Sequence, residues 1–172
     1  FPGWHLECSA MSKALLGAPF DVHTGGVDHI PVHHNNEIAQ SEVAYEATQS
    51  NYWIHHAHVL MNNEKMAKSV GNVLYISDLE EKGINPLAYR YWLLTSHYTT
   101  QVNFTLEALN AANSAFQKLL ERYSKTRVGK VNDSYISQIR ESLNNDLNTP
   151  EAIALIWTMN KDDSVTEEDK LA

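Results

Sequence analysis

Cys8, His33 and Glu37 carry side chains that can each ligate a borderline-soft cation, and two of them stand four residues apart. On a helix, positions four apart project from one face a turn apart, so His33 and Glu37 can grip one ion together. Thiolate, imidazole and carboxylate are all ordinary zinc ligands. On spacing alone a plainer reading leads: an inert buried cysteine beside a surface His/Glu pair. Free cysteine often serves as a small core residue, and nine histidines make a chance pairing easy. His34 is the competing imidazole. A second group is Lys65 with Lys68. Lysine is a compact point charge that can follow a polyphosphate as charge shifts during a reaction, although two lysines three apart usually mark only a solvated loop. A third is Gly25-Gly26 with Asp28. Two glycines after a strand admit a ligand close to the backbone, and the carboxylate can accept hydrogen bonds from ribose hydroxyls or an ammonium group. An ordinary turn explains that pattern as well. His55, His56 and His58 read as part of a strand on which only the last two share a face, and they are assigned no metal.

Positioning these groups requires strands and helices in alternation. Leu6 to Leu16 reads as a helix stopped by Gly17 and Pro19. Phe20 to His23 reads as a strand that turns at Thr24-Gly25-Gly26. His33 to Thr48 has helical spacing, with Ile38, Val43 and Ala47 near one face. Tyr52 to Met61 is aromatic and branched, as buried strands are. A charged loop follows from Asn62 to Asn72, and Val73 to Ile76 is short and β-prone. Asn85-Pro86 starts a helix with a good cap and a proline in its first turn. Thr105 caps a long helix with Leu106, Leu109, Phe116 and Leu120 on one stripe. A polar linker from Ser124 to Val131 leads to a helix carrying Ile136, Ile139 and Leu143, and Asn148-Thr149-Pro150-Glu151 caps one more. Alternation therefore gives way to helices alone, with a boundary near residue 101.

Bulk properties narrow the class. The chain has 172 residues, 43% hydrophobic and 20% charged, as globular proteins do. No run reaches the ~18 apolar residues of a membrane helix, and no signal-peptide layout is present. One cysteine excludes an internal disulfide and points to a reducing compartment. The formal charge of −8 counts against a uniformly basic nucleic-acid surface, though not against a basic patch on one face. Phe1-Pro2-Gly3-Trp4 at one end and Lys170-Leu171-Ala172 at the other read as positions inside a longer polypeptide.

Taken together, the segments resemble one family. Pro2-Gly3-Trp4-His5-Leu6-Glu7-Cys8-Ser9-Ala10, then Asp21 to Asp28, then His33-His34-Asn35-Asn36-Glu37-Ile38-Ala39-Gln40-Ser41-Glu42, are similar at matching spacing to cysteinyl-tRNA synthetases. Glu64 to Asn72 closely resembles the KMSKS loop of class I aminoacyl-tRNA synthetases, with Ala67 where the family usually has serine. Asn144 to Ala152 resembles the start of the helical domain that follows. The resemblance covers almost the whole chain.

It implies an α/β fold: the second half of a Rossmann-type catalytic domain over residues 1–100, then an incomplete, tRNA-contacting helical part over 101–172. It implies cysteine activation by ATP with Mg2+, then transfer to tRNA(Cys). Zinc would select the substrate sulfur, because serine is a near-isostere that a size-based pocket rejects poorly. Cys8, His33 and Glu37 would be three of four zinc ligands, the fourth coming from an N-terminal part. Lys68, supported by Lys65, would stabilise the transition state at the ATP phosphates. Gly25, Gly26 and Asp28 would line the nucleotide side, with Val27 at a glycine-like position that varies in the family. Trp4 and His23 would lie near the substrate. No HIGH-type motif occurs in the chain, so the chain alone is expected not to charge tRNA. A cytoplasmic monomer with no membrane partner is expected. Two rivals remain: a paralogous ligase that passes cysteine to an amino sugar, and a non-catalytic zinc- or RNA-binding module.

Overall fold

A computed structural model describes residues 3–65, 73–124 and 129–171, and these fall into two compact units, Phe1–His58 and Val59–Ala172. Among the described residues no helix is long and apolar enough to cross a membrane.

The first unit begins with helix α1 (His5–Leu16). Gly17 ends it with a positive φ of 86° while its N–H reaches Lys13 O, a conformation that costs glycine least. Strand β1 (Phe20–Gly26) and strand β2 (Ser50–His56) pair in parallel, with His23 opposite Trp53 and Gly26 opposite His56. Parallel neighbours need a crossover. It consists of a tight 3-10 turn at Val27–His29, a wide π turn at Ile30–His34 and helix α2 (Asn35–Tyr45). Side chains tie α1 to α2: Ser9 Oγ donates to Gln40 Oε1 at 3.0 Å, and Gln40 Nε2 meets His5 Nδ1 at 2.8 Å.

Three expectations change here. The glycines belong to β1 rather than to a turn, because both pair with β2. The helix proper starts at Asn35 and stops at Tyr45, where Glu46 takes a left-handed φ of 51°, so His33 and His34 ride on the π turn. The single strand expected over Tyr52–Met61 is two strands in different sheets: β1 runs out opposite His56, and the ladder ends with it.

In the second unit, β3 (Val59–Met61) lies between β4 (Glu64–Lys65), antiparallel, and β5 (Val102–Phe104), parallel. Asn62 and Asn63 join β3 to β4 with φ of 53° and 66°, both left-handed, which is the twist a two-residue hairpin favours. β5 interrupts the expected all-helical stretch, since its backbone groups complete the ladder with β3. Residues 73–75 are not a strand. Asp78 Oδ2 accepts the Tyr75 N–H at 2.8 Å and starts helix α3 (Ile76–Glu81), a local cap that overrides β propensity.

Three of the remaining α-helices begin at caps read from sequence. Asn85 accepts from Leu87 N at the start of α4 (Pro86–Leu94), and Thr105 from Ala108 N at α5 (Leu106–Tyr123). Asn132 caps α6 (Asp133–Asn144), and Asn148 caps α7 (Thr149–Lys161). The core is Leu79, Ile84, Ala88, Phe104 and Leu109. The change of character near residue 101 falls inside this unit, where α5 packs on α4.

Candidate metal centre

Cys8 projects from α1, His33 from the π turn and Glu37 from the first turn of α2. One ligand atom from each lies within 4.8 Å of the others. The crossover brings this about. It returns the chain from β1 to β2 and lays α2 against α1, which closes the gap in sequence between residue 8 and residues 33 and 37.

Glu37 is 0% exposed. A carboxylate in such a place is costly unless its charge is met. Its two oxygens differ. Oε2 accepts a hydrogen bond from Gln49 Nε2 at 2.6 Å and stands 3.0 Å from His23 Nε2. Oε1 stands 2.8 Å from His33 Nε2, yet no described group gives it an aligned hydrogen bond. A nitrogen and an oxygen thus stand 2.8 Å apart without an aligned hydrogen bond, with the Cys8 sulfur in the same 4.8 Å group. That arrangement is stable around a cation. Burial first, then the charges of Glu37 and Glu7, push the Cys8 thiol above its ordinary value. Without a cation the sulfur therefore keeps its proton; a divalent ion reverses the balance by stabilising thiolate. The donor set fits zinc.

Around these ligands lies a layer of aromatic rings. His34 Nδ1 and His55 Nε2 are 2.7 Å apart, and His34 packs against His23, His29 and Trp53. Burial, then neighbouring imidazoles, pushes His34 down to about 4, so the ring is neutral near pH 7. His55 shifts down for the same reasons. The layer is accordingly a polar wall rather than a block of positive charge. Gly25 is required beneath it: a Cβ there would stand 2.5 Å from His34 Cε1 and 2.7 Å from His29 Nδ1.

The other sequence-derived sites are placed as follows. Trp4 is 80% exposed at the start of α1, one turn before Cys8, whose N–H bonds to its carbonyl. His23 sits edge-on to Trp53 within the ring layer. Gly26 is followed by Asp28 in the 3-10 turn, and His58 Nε2 lies 3.5 Å from Asp28 Oδ1. His58 lies beyond the end of β2, so it shares no strand face with His56. Lys65 pairs with Leu60 through its backbone in β4, while its side chain and all of Lys68 lie outside the described residues.

Sequence reasoning missed Gln49, which reaches Glu37 from just before β2, and treated His55 as packing. No local signal marks Gln49. His55 had one, since it alternates with Trp53 on one face of the strand and stacks with it. A second cluster, His23, His34 and Glu37, also has its ligand atoms within 4.8 Å.

Comparison with known proteins adds identity to geometry. The family described as tRNA synthetases class I (C) catalytic domain matches residues 1–114. Cysteine–tRNA ligase 1 of Burkholderia lata is 45% identical over 161 residues, covering 92% of this chain and 34% of that protein. Cysteine–tRNA ligase of Brachyspira hyodysenteriae is 42% identical over 173 residues, covering 93% and 36%. The chain thus spans about a third of the length of these relatives. Among solved structures, the leucyl enzyme (LeuRS) of Agrobacterium radiobacter K84, in a ternary complex with tRNA and LeuAMS, aligns with a TM-score of 0.68 at 18% identity. That alignment covers 90% of this chain and 24% of the other, and shows a shared fold.

Proposed function

The chain belongs to the family of class I (C) tRNA synthetase catalytic domains, and from that membership we propose that its protein joins cysteine to tRNA(Cys) at the expense of ATP, with zinc selecting the amino acid. The observation that carries the cysteine-specific part is the convergence of Cys8, His33 and Glu37 within 4.8 Å, around a buried carboxylate oxygen that lacks a hydrogen bond.

In the first step a carboxylate oxygen of cysteine attacks the α-phosphorus of ATP. The bond from that phosphorus to the β-phosphate oxygen breaks, and pyrophosphate leaves. In the second step a ribose hydroxyl of the terminal adenosine attacks the activated carbonyl and AMP leaves. A zinc ion held by Cys8, His33 and Glu37 would supply affinity for the substrate sulfur as thiolate, which a serine hydroxyl is too weakly acidic and too hard to match, and so discrimination that shape alone does not give.

This chain's residues divide the remaining work. Cys8, His33 and Glu37 hold the ion. The neutral His34 and His55 wall one side without adding charge that would compete with it. Gly25, Gly26 and Asp28 form the nucleotide edge, with Asp28 as acceptor for ribose. Trp4 and His23 serve the amino-acid side. Lys68, aided by Lys65, meets charge developing on the phosphates. Residues 1–100 act as the catalytic half-domain and 101–172 as the part that approaches tRNA.

The test uses the full-length protein. Atomic absorption should find one zinc per chain, absent after Cys8→Ala, and ATP–pyrophosphate exchange should require cysteine and ignore serine. Stoichiometric zinc in the Cys8→Ala protein would remove the ligand assignment. Aminoacylation of an amino sugar in place of tRNA would redirect the second step.

A further inference from the structure

Glu37 reaches the ion as one oxygen of two, and the structure contains a device that decides which. Gln49 Nε2 donates to Oε2 at 2.6 Å, and Ser41 Oγ donates to Gln49 Oε1 at 3.0 Å. All three side chains are sealed from solvent, at 0%, 2% and 1% exposure for Glu37, Gln49 and Ser41. The amide cannot be turned over. Its carbonyl would then face a carboxylate across 2.6 Å, with both groups acceptors. Each member is also anchored. Ser41 is one turn beyond Glu37 on α2, and the Gln49 carbonyl accepts the Phe20 N–H at 3.0 Å, which fastens it to the start of β1.

We propose that Gln49 and Ser41 are positioning residues that hold Glu37 so that Oε1 alone faces the ion, as a one-oxygen ligand on the Cys8–His33 side. The proposal rests on the zinc reading above. It also favours one of the two ligand clusters. The His23–His34–Glu37 group lies around the same carboxylate, with His23 Nε2 3.0 Å from Oε2, but the Gln49 N–H engages Oε2 while Oε1, beside His33 Nε2, has no hydrogen bond. Groups that hydrogen-bond a ligating carboxylate fix its orientation, and their loss weakens metal binding ~10–100-fold.

The experiment measures zinc affinity by chelator competition in the full-length protein, with cobalt(II) substitution to read ligand geometry at saturating metal. Gln49→Met keeps length and removes the donor. It should weaken zinc ~10–100-fold and shift the cobalt ligand-field bands even in fully loaded protein, a change that loss of stability alone does not produce. Ser41→Ala should cost less and shift the bands in the same direction. In the Gln49→Met background it should add nothing, because Ser41 acts only through Gln49. If Gln49→Met does not fold, the Ser41→Ala affinity and spectrum decide. Unchanged affinity and bands in the variants, or additive losses in the double variant, overturn the relay. An unsubstituted protein that binds neither zinc nor cobalt overturns the metal reading itself, and the relay with it.

Discussion

Among the described residues, the unit Phe1–His58 buries Glu37, Ser41, Gln49, Ser50, His34 and Ser9, with Phe20 as its buried hydrophobic side chain. The unit Val59–Ala172 buries Leu79, Ile84, Ala88, Phe104 and Leu109 in one cluster. The second interior follows the usual rule: hydrocarbon leaves water at ~25 cal/mol per Å2 and the chain folds around it. The first runs against that rule. Its buried side chains are mostly polar and hydrogen-bonded, with Ser41 and Gln49 chained to the Glu37 carboxylate, and such sets are costly when any member is unmet. The contrast separates two uses of burial. One interior holds the chain together, and the other holds a carboxylate at a fixed angle.

The sharpest way to break this comparison is to neutralise the charge. Glu37→Gln in the full-length protein should lower zinc affinity by more than the ~100-fold that outer groups account for. In metal-free protein its melting temperature should hold or rise, since the cost of burying a charge is gone. A metal-free form that melts well below the parent would mean that Glu37 is a structural residue. Next in size is Lys68→Ala. Its pyrophosphate-exchange turnover should fall ~100-fold or more, as when a transition-state contact is lost. KM for ATP should move little, and zinc content and melting should not move at all. Equal turnover would remove the lysine from the chemistry. Leu109→Ala probes the opposite interior. It should cost ~2–5 kcal/mol in urea unfolding and leave the zinc affinity of the folded protein unaltered. The smallest effect belongs to the cap at α7: Asn148→Ala should cost ~1 kcal/mol, again with zinc unaffected. Zinc loss in either of these last two proteins would erase the distinction between the interiors.

What the sequence disclosed follows the same line. The caps at Asn85, Thr105 and Asn148 were legible because each acts on N–H groups two or three residues away. Leu109 and Phe116 were legible from helical spacing. The gathering of Cys8, His33 and Glu37 was signalled by the spacing of His33 and Glu37 and by a family resemblance, although spacing alone favoured a plainer reading. Features that depend on a distant partner were not legible. Gln49 is an ordinary polar residue until the fold sets it against Glu37. The break between β2 and β3 is decided by where β1 ends, which Tyr52–Met61 does not encode. β5 looks like a linker until β3 offers it hydrogen bonds.

The π turn at Ile30–His34 has a consequence for how this protein can vary. An α-helix advances ~100° per residue, and a π turn accommodates one residue more than the α-helical ladder does. Removing a single codon just ahead of His33 would leave His33 and Glu37 in step with each other. It would swing Gly25, Gly26 and Asp28 by about a quarter-turn relative to them. The bulge therefore sets the phase of His33 and Glu37 relative to Gly25, Gly26 and Asp28, and insertions or deletions there should be far rarer in descendants than substitutions.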